Sequence, residues 1–205
     1  MEPFVSIASI AAPLPERDID TDIIFPARYL LLTSKTGLGR YAFFERRYEA
    51  DGKTEKADFP LNQPAFRGAQ IIVSGSNFGC GSSREHAVWA LADLGVRCVI
   101  ADSFGDIFYS NCFKNGLLPV MVTPGQRADL TTRASAGESL DVDLEHQEIR
   151  TADGGVIAFR VDGWRREALL NGWDEIATIS QTRGQSIAAF EDAQRRRSSW
   201  LYADE

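Results

Sequence analysis

The chain has 205 residues, 44% of them hydrophobic and 25% charged, a globular balance that excludes disorder as its main state. Its formal net charge is −7 with no long basic run, which argues against a nucleic-acid surface. Any site for an anion must then be built locally, from a few arginines or the start of a helix.

The first residues, Met1 to Ile7, carry no basic segment ahead of their apolar ones, and no apolar stretch approaches the roughly 18 residues of a membrane span. A cytoplasmic protein with no membrane or nucleic-acid partner is expected. The three cysteines, Cys80, Cys98 and Cys112, are widely spaced, and His86 and His146 stand alone. That spacing fits neither a disulfide framework nor a metal or iron–sulfur centre built by this chain alone.

In chain order, Val5 to Ala11 reads as a strand that Pro13 and Pro15 end. Asp18 to Pro26 places three carboxylates before an apolar triplet. Thr33 to Gly39 reads as a mobile loop, Tyr41 to Tyr48 as a short helix, and Ala50 to Arg67 as irregular surface chain. From Ala69 the pattern changes. Ala69 to Gly75 is a buried-strand signal, followed by a Gly- and Ser-rich loop over Ser76 to Ser83. A helix over Arg84 to Leu94 carries Ala87, Val88, Leu91 and Ala92 on one face, and Gly95 stops it. Strand, helix and strand follow over Arg97 to Ala101, Phe104 to Lys114 and Leu117 to Thr123, the alternation of a three-layer α/β unit.

Gln126 to Ala134 predicts a further helix. Asp141 to Thr151 and Val156 to Val161 alternate about Asp153-Gly154-Gly155, which signals a hairpin. Arg165 to Trp200 reads as largely helical with breaks near Gly172 and Gly184. The basic run Arg195, Arg196 and Arg197 reads as a solvated helix face. Trp164, Trp173 and Trp200 belong either to core or to an apolar tail surface.

The loop Ser76-Asn77-Phe78-Gly79-Cys80-Gly81-Ser82-Ser83-Arg84-Glu85-His86 concentrates the chemistry. Gly79 and Gly81 free the backbone for close approach. Ser82 and Glu85 have capping-box spacing, which makes Ser82 the expected N-cap. A helix start supplies N–H groups and partial positive charge, and Arg84 adds a planar fork that fits a carboxylate. This spacing supports two readings equally: a carboxylate or phosphate pocket at the end of a strand, and an ordinary capped helix with Arg84 in a surface salt bridge. It matches neither a P-loop nor GxGxxG.

The segment Asn77 to His86 resembles the signature of the swivel domain of the aconitase superfamily. Ala101-Asp102-Ser103-Phe104-Gly105-Asp106-Ile107-Phe108 with Asn115-Gly116-Leu117-Leu118-Pro119 resembles the next block, and Asp20-Thr21-Asp22-Ile23-Ile24-Phe25-Pro26 the N-terminal one. Their order and spacing are similar to those in small subunits of bacterial hydro-lyases acting on 2-isopropylmalate in leucine biosynthesis, over nearly the whole chain. The resemblance implies an α/β fold of aconitase-like swivelling type, three-layer β/β/α, with a mostly parallel central sheet and a helical C-terminal tail. It implies one domain over 1–205, with an irregular loop region about 33–67 and the tail about 165–205.

The resemblance further implies a reaction of dehydration and rehydration of a small dicarboxylate. The iron–sulfur cluster (4Fe–4S) is expected in a separate large subunit, with no cofactor bound by this chain. Ser82 matches the serine that takes a proton from carbon, Arg84 the arginine that clamps a substrate carboxylate, and Ser83 a neighbour that hydrogen-bonds substrate. Asp22 matches a supporting acid, with an N-cap or turn carboxylate as the plainer reading. Leu31 and Leu32 fall where relatives recognise the variable substrate group and suit an isopropyl group, unless they are core residues. Cys80 reads as a packed, oxidation-sensitive side chain beside the site, and His86 as a structural hydrogen-bonder. Asn111 and Asn115 read as structural. Citraconate, dimethylmaleate and homoaconitate hydratases share the architecture, and a stand-alone anion-binding module is the reading from a different class.

Overall fold

The sheet is assembled from the shortest and most apolar runs in the chain. In the computed structural model, which describes residues 1–202, β2 (Ile71–Ser74), β3 (Cys98–Ala101) and the first three residues of β4 (Leu118–Met121) are fully buried. Such continuous apolar runs suit parallel strands covered on both faces. β1 (Ser6–Leu14), β5 (Ser139–Asp143), β6 (Glu148–Arg150) and β7 (Val156–Ala158) complete a seven-stranded sheet of order β4-β3-β2-β1-β5-β6-β7.

β1 joins two limbs. Its residues Ala11 to Leu14 pair in parallel with β2, which continues in parallel to β3 and β4. Its residues Ser6 to Ile10 pair antiparallel with β5, and β6 and β7 continue antiparallel. The parallel character expected of the sheet thus belongs to the limb that carries the signature loops. The antiparallel limb contains the hairpin that turns at Asp153 to Gly155. β1 also runs through Pro13, where a stop was expected. The β5 pairing has ended at Ile10, so a residue without an N–H costs no bond on that side.

Alternate side chains of the parallel limb enter two cores. Ile72, Val99 and Ala101 pack with Ala87, Val88 and Leu91 of α3 (Glu85–Asp93) and Phe108 and Cys112 of α4 (Asp106–Lys114). Ile71, Val73, Cys98 and Ile100 pack with Leu130 and Ala134 of α5 (Pro124–Ser135), Leu169 of α6 (Gly163–Asn171) and the inner residues of the antiparallel limb. Each fully buried aliphatic side chain contributes about 1.5–3 kcal/mol.

The connection from β1 to β2 holds two short helices, α1 (Thr21–Ile24) and α2 (Phe44–Arg47). Its polar stretch is anchored, which sequence polarity did not reveal. Phe59 and Phe66 are buried, and the Asn62 amide donates to the carbonyls of Arg47 at 2.7 Å and Lys56 at 2.9 Å.

The chain divides into two compact units, Met1–Gly172 and Trp173–Glu205. In the second, α7 (Glu175–Arg197) buries none of its residues, and Asp174 caps it by accepting from the Ala177 N–H at 2.7 Å. Gly172 breaks the helical run as expected, in the left-handed region at φ +68°. Gly184 does not. It lies inside α7, where a glycine costs about 1 kcal/mol but need not terminate a helix. Trp164 and Trp200 are largely exposed and so do not serve the core. Among the described residues no helix is long and apolar enough to cross a membrane.

Candidate active site

Three loops leave the C-terminal ends of β1, β2 and β3 and are hydrogen-bonded into one another. The Gly79 N–H donates to the Ile19 carbonyl at 2.7 Å and the Thr21 N–H to the Cys80 carbonyl at 2.9 Å. On the other side the Phe78 N–H donates to the Ser103 carbonyl at 3.1 Å, and the Gly105 N–H to the Phe78 carbonyl at 3.0 Å. The three sequence blocks are therefore one structural object, with the glycine loop at its centre. Gly79 is obligatory there. Its φ is +72°, and a Cβ would fall 2.1 Å from Cγ of the buried Phe108 ring.

Ser82 and Ser83 lie exposed at the end of this loop, just before α3. The Ser82 carbonyl is held from two sides, by the Thr21 hydroxyl at 3.1 Å and the Arg84 N–H at 2.8 Å. Thr21 is itself buried, so the serine stands on a fixed base. The capping box expected of Ser82 and Glu85 does not form. Arg84 occupies the N-cap position in extended conformation, and no side chain caps the helix. Glu85 is drawn instead to the Asn115 amide, which donates to its Oε1 at 2.7 Å. The consequence is an α3 whose first turn has no side-chain cap, a ready place for an anion.

Arg84 forms an ion pair with Asp22, the second residue of α1. The Arg84 side chain is 22% exposed, so part of it remains open to solvent. Asp22 is not the N-cap of α1. That role belongs to Asp20, whose carboxylate accepts from the Ile23 N–H at 2.7 Å. Ser82, Ser83, Arg84 and Asp22 are thus gathered at one surface.

Leu31 and Leu32 are not core residues. Leu31 is 92% and Leu32 37% exposed, and both line a shallow hollow of about 480 Å³ with Thr33, Ser34, Leu38 and Tyr41. The loop is tied to α3 by the His86 ring, which is hydrogen-bonded to the Leu32 carbonyl at 3.1 Å and stacks on Phe25. His86 therefore has the structural part expected of it, and the tie brings the leucine loop to the first turn of α3.

The three cysteines are free thiols, Cys98 and Cys112 fully buried. Burial pushes both thiols up, and burial together with Asp20 and Asp18 pushes up Cys80. Among the described residues no group of three or more His, Cys, Asp or Glu is placed to hold a metal ion.

A parallel limb whose successive loops lock around a Gly-Cys-Gly-Ser-Ser-Arg turn defines a swivel domain of aconitase type. The family description "Aconitase C-terminal domain" matches residues 1–125, and "LeuD_N" matches residues 129–163. The chain is 54% identical over 203 residues to the 3-isopropylmalate dehydratase small subunit of Afipia carboxidovorans, covering 98% of this chain and 100% of that one. It is 51% identical over 202 residues to the protein of the same name from Mesorhizobium japonicum, with the same coverage. Among solved structures, the 3-isopropylmalate dehydratase (leuD) of Methanocaldococcus jannaschii superposes with a TM-score of 0.66 at 29% identity, covering 91% of this chain and 99% of that chain. The chain belongs to the family of 3-isopropylmalate dehydratase small subunits.

Proposed function

We propose that this chain is the small subunit of a 3-isopropylmalate dehydratase of leucine biosynthesis, and that its glycine loop completes an active site shared with a large subunit. The observation that carries the reading is an exposed serine two residues before an arginine that a carboxylate from another segment holds in place.

In the reaction, water leaves 2-isopropylmalate and returns at the neighbouring carbon to give 3-isopropylmalate. Ser82 takes the proton from carbon and hands one back on rehydration. A serine alkoxide is unfavourable in water, and the uncapped start of α3 with Arg84 nearby supplies the positive potential that favours it. Arg84 grips one substrate carboxylate through its fork, and Asp22 keeps that fork aimed. Ser83 donates a hydrogen bond to substrate. Leu31 and Leu32 border the isopropyl group, since burial of apolar surface is favourable and burial of an unpaired carboxylate is costly. The iron–sulfur cluster of the large subunit supplies Lewis-acid assistance to the departing hydroxyl.

Both compact units of the chain serve this one role, as a single swivel-type subunit placed in the cytoplasm. The test is reconstitution with the large subunit, followed by a substrate panel. The reading expects no turnover by either subunit alone, and faster turnover of 2-isopropylmalate than of homoaconitate-type tricarboxylates or citraconate by the complex. A complex that prefers a tricarboxylate contradicts it, as does a small subunit that binds anions tightly and specifically but accepts no partner.

A further inference from the structure

One carboxamide, outside every part of the site assigned so far, touches both halves of it. Asn115 stands at the C-terminal end of α4. Its Oδ1 accepts from Lys35 Nζ at 3.0 Å and from Trp89 Nε1 at 3.0 Å. Its Nδ2 donates to Glu85 Oε1 at 2.7 Å and to the Asn111 carbonyl at 2.9 Å. An amide oxygen accepts two hydrogen bonds and its nitrogen donates two, so every capacity is used. The flipped amide would set its NH₂ against two donors, which fixes one orientation.

The partners divide in an informative way. Lys35 belongs to the loop that carries Leu31 and Leu32, and its ammonium also lies 4.8 Å from the centroid of the Trp89 ring. Glu85 is the first residue of α3, immediately after Arg84. Nothing in the core needs the exposed Lys35 to be held. Glu85 left to itself is a carboxylate beside a place for a dianionic substrate, which is unfavourable. Its side chain also has the length to fold back toward the uncapped helix start.

We propose that Asn115 is a positioning residue that couples the recognition loop to the catalytic helix start. Through its oxygen it holds the loop by Lys35, so that less ordering cost is left to substrate binding. Through its nitrogen it turns the Glu85 carboxylate away from the anion site. The proposal rests on the assignment of Ser82, Arg84 and the leucine loop given above.

The test uses the complex with the large iron–sulfur subunit, and the full-length small subunit alone. Lys35→Met keeps the stem and removes the charge. It is expected to raise KM for 2-isopropylmalate about tenfold with kcat within about twofold, and Lys35→Arg to recover most of the loss. Asn115→Ala is expected to raise KM as well, and thermolysin is expected to cut the isolated variant faster between Leu31 and Leu38. Wild-type KM and a wild-type cleavage rate in both variants overturn the proposal. So does a loss confined to kcat and thermal midpoint, the signature of a merely structural amide. If Asn115→Ala fails to fold, Lys35→Met at its exposed position decides alone. Failure of the underlying assignment is seen separately, as a wild-type complex inactive on 2-isopropylmalate, and the cleavage rate requires no turnover.

Discussion

Arg84 and Asp22 are joined by an ion pair across 62 residues of sequence, linking the residue at the start of α3 to the first turn of α1. In the proposed role, a guanidinium that meets a substrate carboxylate in two places needs its plane fixed beforehand, and Asp22 of α1 is the partner placed to do so. Asp22→Asn removes the charge and keeps the shape. Since Asp22 is half exposed, its urea midpoint should move by no more than about 1 kcal/mol equivalent. Steady-state kinetics of the complex should show kcat/KM lower by roughly 10- to 100-fold, because misplacing a clamp costs that much. A variant with full kcat/KM would make the pair a surface ornament.

Gly79→Ala should damage the fold itself. The residue needs φ of +72°, and the new methyl would overlap the Phe108 ring. A strained backbone and an overpacked core each cost about 1–3 kcal/mol, so a combined loss of about 2–6 kcal/mol is expected in urea unfolding. A loss under about 1 kcal/mol would mean that the loop can re-route around the ring.

Substrate choice should respond to the leucine loop without any change in stability. Leu31 is almost fully exposed, so Leu31→Arg leaves the thermal midpoint in place. Beside an isopropyl group the new charge is unfavourable, and kcat/KM for 2-isopropylmalate should drop about tenfold or more, with the fall smaller for a tricarboxylate. Equal effects on both substrates would place the loop away from the variable group.

Acid sensitivity should be traceable to the β6–β7 hairpin. The Asp153 carboxylate accepts from the Thr151 hydroxyl at 2.6 Å, from Arg133 at 2.9 Å and from the Gly155 N–H at 3.2 Å, which holds its pKa well below the usual carboxylate range. The folded value lies under the unfolded value of about 4, so its stabilisation is present above pH 4 and is lost as pH falls below it. The stability gap between wild type and Asp153→Asn should therefore be widest near neutrality and close on acidification, read by urea midpoints across pH. A gap that widened in acid would contradict the assignment.

The sequence made some of this legible and hid the rest for physical reasons. β2, α3, β3, α4 and β4 follow from local apolar runs and stops, and the structure places them within a few residues of the expected bounds. The Ser82–Glu85 capping box does not form because α3 starts at Glu85 with Arg84 at the N-cap, and the Glu85 carboxylate is taken up by Asn115, 30 residues away, which no local pattern encodes. Pro13 and Gly184 were read as stops. The first sits where β1 has lost one neighbour, the second in a helix long enough to absorb it. Asn115 falls in one of the resembling blocks but reads only as structural, since an asparagine at the end of a helix is ordinary until its four partners are seen. Leu31 and Leu32 are ambiguous in the sequence because composition does not distinguish a core leucine from an exposed one.

The most direct test is the turnover of 2-isopropylmalate by a complex in which Ser82 is replaced by alanine. An exposed residue on a backbone held by Thr21 and Arg84 can lose its hydroxyl without disturbing the fold. The variant should assemble as the wild type does while kcat falls by roughly 10²- to 10⁴-fold, the usual reach of a general base. An assembled variant that turns over at the wild-type rate would mean that the proton leaves carbon by some other group.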